Sequence, residues 1–70
     1  MNPKILVKAL KLLMLKRKIR QYELASILKC PPTTLNRWLM GKHKISQAWI
    51  NVIHSNSEIG NELAEIERTL

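Results

Sequence analysis

Apolar residues recur along this chain at spacings of three and four, and nowhere do they alternate with a convincing strand period. Asn2 has the side chain of an N-cap and Pro3 suits the first helical position. Ile5, Leu6, Ala9, Leu10, Leu12 and Leu13 then mark a helix expected from Pro3 to about Lys18. Lys4, Lys8 and Lys11 form a basic stripe on it, either a solvated face or a surface that tracks phosphates.

A second helix is expected from Gln21 to about Lys29, with Leu24, Ala25 and Leu28 inward. Cys30-Pro31-Pro32 must end it, because each proline pushes the residue before it out of the α region, while Pro32 is free to open a new helix. That third helix reads from Pro32 to about Met40. Leu35, Trp38 and Leu39 face inward, Thr33, Asn36, Arg37 and Met40 face outward, and Gly41 supplies the left-handed residue beyond its end. After the basic loop Lys42-His43-Lys44, a fourth helix begins near Ser46, its N-cap, and buries Ala48 or Trp49 together with Ile50 and Ile53. Ser55-Asn56-Ser57-Glu58 has capping-box spacing and precedes a last segment with an apolar seam of Ile59, Leu63, Ile66 and Leu70. The pattern predicts an all-α, compact bundle of four to five short helices, two of them joined as a helix-turn-helix.

Seventy residues make one domain, too small for a deep active-site cleft, and a 46% apolar fraction argues against disorder. Charge changes the picture more. Residues 1–57 hold eleven basic residues and one acid, Glu23, a net of +10, whereas residues 58–70 hold four Glu and Arg68, a net of −3. A basic body with an acidic tail favours a polyanion as partner. The chain has no Asp, and one Cys with His43 and His54 cannot form the usual four-ligand zinc site. No metal, cofactor or enzymatic activity is expected. Cys30 excludes an intrachain disulfide and reads as a small buried hydrophobe, and the longest apolar run is too short and too interrupted by lysine to span a bilayer. A cytoplasmic, nucleoid-associated location is the expectation.

Counted from Gln21, the helix-turn-helix of the Cro/CI (lambda-repressor-like) family places a small residue fifth and apolar residues fourth, eighth, tenth, fifteenth and eighteenth. Ala25, Leu24, Leu28, Cys30, Leu35 and Trp38 stand at those positions, so the stretch from Gln21 to Lys42, about a third of the chain, resembles that family. Three positions depart from it. Lys29 stands where the turn needs φ > 0 and the family usually has Gly. Pro31 and Arg20 stand where a capping side chain is usual, which leaves both helix starts to lean on packing or phosphate.

The resemblance implies that Pro32, Thr33, Asn36 and Arg37 lie at the major-groove edge. Arg37 suits a bidentate bond to guanine, Asn36 one to adenine, and Thr33 or Pro32 contact with a thymine methyl. Arg20, Gln21, Thr34, Lys42, His43 and Lys44 would hold phosphates. The function implied is sequence-specific binding of double-stranded DNA by a dimeric transcriptional regulator, acting as a repressor by occupying its operator. The alternatives are an antitoxin-type interaction protein with autoregulatory DNA binding and a plasmid-partition or architectural DNA-binding protein. On this reading residues 1–57 are the DNA-binding domain. Residues 58–70 are a possible dimerisation element through Ile59, Leu63, Ile66 and Leu70, with docking on helix 1 as the competing fate of the seam.

Overall fold

The computed structural model describes residues 3–70 and consists of five α-helices: α1 (Pro3–Arg17), α2 (Gln21–Leu28), α3 (Pro32–Leu39), α4 (Gln47–His54) and α5 (Gly60–Thr69). The expected cap at Asn2 lies outside the described residues. The first four helices sit where the periodicity put them, with ends displaced by a residue or so, whereas α5 starts only at Gly60, past the Ser55–Glu58 stretch expected to cap it.

Three of those ends share one device. After α1, α2 and α3 the chain turns left-handed at Lys18 (φ 56°), Lys29 (φ 58°) and Gly41 (φ 74°). The amide one residue further on then reaches back five positions: Ile19 N–H to Met14 O (3.1 Å), Cys30 N–H to Ala25 O (3.0 Å) and Lys42 N–H to Arg37 O (2.9 Å). This is the Schellman closure, which satisfies carbonyls that a helix end leaves open. Glycine occupies only the third of these ends. At the other two a lysine holds a conformation that costs an L-residue about 1 kcal/mol or more, so the α2–α3 turn keeps its form without glycine.

The helix starts correct two expectations. Arg20 precedes α2 without a capping side chain, yet the start does not depend on packing or phosphate alone: Glu23 Oε1 accepts the Arg20 N–H at 3.1 Å, one half of a capping box. The Ser55 capping box is not formed. Ser55 Oγ donates back to Val52 O (3.2 Å), and Asn56 instead accepts from Glu58 N–H (2.9 Å) and Ile59 N–H (3.1 Å). Asn56 Nδ2 also donates to Ile27 O at 3.0 Å, tying the α4–α5 junction to α2. Ser46 caps α4 as expected, accepting from Trp49 N–H at 3.3 Å.

One core joins all five helices, built from leucine and isoleucine around Trp38, and no polar residue among those described is buried in it. Ile45, directly after the basic loop, is buried too. The expectation that the last seam forms a dimer interface is overturned for its first half. Ile59 and Leu63 are 0% exposed inside the chain's own core, α5 packs on α1 and α4, and Ile66 lies half-buried against the same cluster. Only Leu70 stays exposed. Residues 58–70 are thus part of the single core rather than an element beyond it. Docking on α1 wins because α1, which packs against α5, buries Leu6, Leu10 and Leu13 in the same core as Ile59 and Leu63. A charged clasp also closes the joint: Arg17 Nε and Nη2 meet Glu62 Oε1 at 2.9 and 2.7 Å, and Lys16 Nζ lies 3.4 Å from Glu62 Oε2. The Arg17 guanidinium, with Lys16 beside it, holds the Glu62 carboxyl below its usual range.

Candidate nucleic-acid interface

The six positions that carry the family resemblance, Leu24, Ala25, Leu28, Cys30, Leu35 and Trp38, are all buried. Burial pushes the Cys30 thiol above its ordinary pKa, as suits a packing residue rather than a nucleophile. Because Leu35, Trp38 and Leu39 face the core, helical geometry turns Pro32, Thr33 and Arg37 to solvent, and all three are exposed. Met40 joins them at the end of this face, 60% exposed.

Asn36, half-buried, does not stand free. Its Nδ2 donates to Gln21 Oε1 at 2.9 Å, so the first residue of α2 braces the middle of α3. One Nδ2 hydrogen and the Oδ1 oxygen of Asn36 stay open, as does the amide nitrogen of Gln21, so the pair can still offer donors and an acceptor outward. Periodicity places each of these residues on its helix but is silent on their contact, since they are fifteen positions apart.

At the end of α3 and just beyond it the chain gathers basic side chains. Arg37, His43 and Lys44 line one cleft of about 180 Å³ with Thr34, Ser46 and the two tryptophans. The expected phosphate contacts Thr34, His43 and Lys44 are therefore brought together beside an expected base reader. Lys42 and Arg20 are exposed and line none of this cleft, and Gln21 joins the surface through Asn36. Trp38 and Trp49 hold the cleft in shape, ring centroids 5.4 Å apart and planes at 65°, the edge-to-face arrangement that binds α3 to α4. Ser46 is a site residue the sequence reading missed, because its capping role absorbed it.

Lys8 and Lys11 also gain neighbours that no helix stripe foretells. Together with Lys4 they border a second, larger groove, whose opposite side is the end of α3 and the loop through Ile45. Among the described residues there is no cluster of three or more His, Cys, Asp or Glu that could hold a metal, and no helix long and apolar enough to cross a membrane. Comparison with known proteins gives no matching family model and no significantly similar curated sequence or solved structure.

Proposed function

We propose that this protein binds double-stranded DNA sequence-specifically and regulates transcription by occupying an operator. One observation carries the reading: α3 buries Leu35, Trp38 and Leu39 and turns Thr33 and Arg37 outward, with His43 and Lys44 beside Arg37. An exposed helix with short polar side chains and one arginine matches what the major groove admits and reads. Lys42 and Lys44 beyond its end match the phosphates on either side of that groove. Asn36 and Gln21 would act as one braced unit, Gln21 setting register and Asn36 reading a base.

A homodimer on a twofold site belongs to this proposal, because one helix in one half-site rarely gives adequate specificity. Its contact must leave Ile59 and Leu63 in place.

Selection of bound sequences from a random duplex library, followed by titration of the selected site, tests the reading. Arg37→Ala is expected to relax preference at one base pair and to cost about 1–3 kcal/mol there. Lys44→Ala is expected to weaken all sequences alike. Affinity should fall with salt by a slope of about −0.9 per phosphate neutralised, and Lys42→Ala should reduce it by about one such unit. Salt-insensitive binding, or no enriched sequence, overturns the proposal.

A further inference from the structure

The groove between α1 and the end of α3 has about 570 Å³ of free space and a lining that is mostly carbon. Val7 and Leu39 form its walls and Met40, 60% exposed, its lip. Lys8 and Lys11 rise on the α1 side and His43 and Lys44 on the other, with no acidic residue in the lining. Lysines at i, i+4 and i+7 share one helix face, so Lys4, Lys8 and Lys11 draw a positive line about 10 Å long beside the apolar trough.

We infer that this groove is a docking site for an acidic amphipathic helix of a partner protein. The apolar trough and the cationic rim each demand one face of such a helix: an apolar row to enter the trough and carboxylates beside it to meet the lysines. A DNA backbone satisfies the rim but leaves Val7, Leu39 and Met40 without an apolar partner. A flat anionic membrane meets the rim but not a concave trough. The lysine stems extend the apolar lining while their ammonium groups stay in water, which suits a helix lying along α1.

His43 and Lys44 belong both to this groove and to the cleft beside Arg37. Resting on the proposed function, the inference therefore includes competition: a helix seated in the groove occupies Lys44 and His43, which would otherwise meet phosphates, so the partner releases the protein from DNA.

The probe is a fluorescein-labelled peptide about five helical turns long, with leucine at i, i+3, i+4 and i+7 and glutamate elsewhere. Two controls replace its glutamates by lysine or its leucines by serine. In anisotropy titrations without DNA, only the leucine–glutamate peptide is expected to bind. Lys8→Glu combined with Lys11→Glu should weaken it at least about tenfold, and Met40→Ser severalfold, with the helical circular dichroism unchanged because all three side chains are exposed. No binding, or binding indifferent to these variants, overturns the inference. So does a result in which the double variant impairs only duplex binding, which would make the groove a phosphate track. Duplex titration without peptide tests the DNA reading separately. If both ligands bind and the peptide fails to displace the duplex, competition is refuted and docking stands.

Discussion

Replacing Gly60 by alanine sets helix propensity against packing. Alanine is the better helix former by about 0.8–1 kcal/mol, so a reading from propensity alone expects the substitution to strengthen α5. In the structure Gly60 is buried at the α4–α5 corner, its N–H donating to Asn56 O at 2.9 Å. A Cβ there would collide with the carbonyl oxygen of His54 and lie 3.1 Å from its carbonyl carbon. The obstacle is backbone at the end of another helix, so no rotamer change relieves it. Overpacking of this kind costs about 1–3 kcal/mol, with a rigid obstacle in the upper half of that range. Subtracting the propensity gain leaves a net loss of about 1–2 kcal/mol. For a domain of this size that lowers the melting temperature by about 5–15 °C. Thermal melts followed by circular dichroism, with urea titrations alongside, measure it. Asn61→Ala, at the exposed next position, is the control that changes propensity without the collision. A Gly60→Ala protein as stable as the parent or more so would refute the close approach of α4 and α5.

Lys29→Gly is expected to raise stability by about 0.5–1 kcal/mol in urea titrations, because the left-handed conformation at φ 58° then costs nothing sterically. Asn56→Ala should cost about 1–3 kcal/mol by leaving the amides of Glu58 and Ile59 without their acceptor, whereas Asn56→Asp keeps both acceptances and loses only the bond to Ile27. Glu62 has a folded pKa below its unfolded one, so its contribution is present above about pH 4.5 and is lost as pH falls through the folded value. Melting temperatures of the parent and Glu62→Gln should accordingly differ at neutral pH and converge in acid.

The helix-turn-helix is legible in the sequence because its information is local. Leu24, Ala25, Leu28, Leu35 and Trp38 lie on helical periods, and two prolines fix the break between them. The outward face of α3 follows from the same periods. The fate of the last seam is not legible, since Ile59, Leu63 and Ile66 suit a partner chain or α1 equally, and only the three-dimensional placement of α1 decides. Ile45 stands alone between a basic run and a helix cap, with no apolar neighbour in the sequence to mark it as core. The cap at Asn56 was masked by Ser55, one position earlier and an equally good capping residue by type. The Asn36–Gln21 bond and the apolar groove beside Lys8 and Lys11 depend on residues far apart in the chain, which no pattern along one helix encodes.

The clasp between α1 and α5 joins Arg17 to Glu62 across 45 positions, while α2 and α3 meet across a turn of a few residues. On a ribosome this separates the two events in time. The α2–α3 hairpin has its partners at hand once α3 has emerged, but the apolar face of α1, made before it, waits for Ile59 and Leu63, made only after α4. During that interval the nascent chain displays a leucine-rich stripe flanked by lysines, the kind of surface that holdase chaperones bind. A growing chain halted before Ile59 should therefore stay sensitive to protease and chaperone-bound, and become resistant only when the segment through Leu63 is free of the exit tunnel.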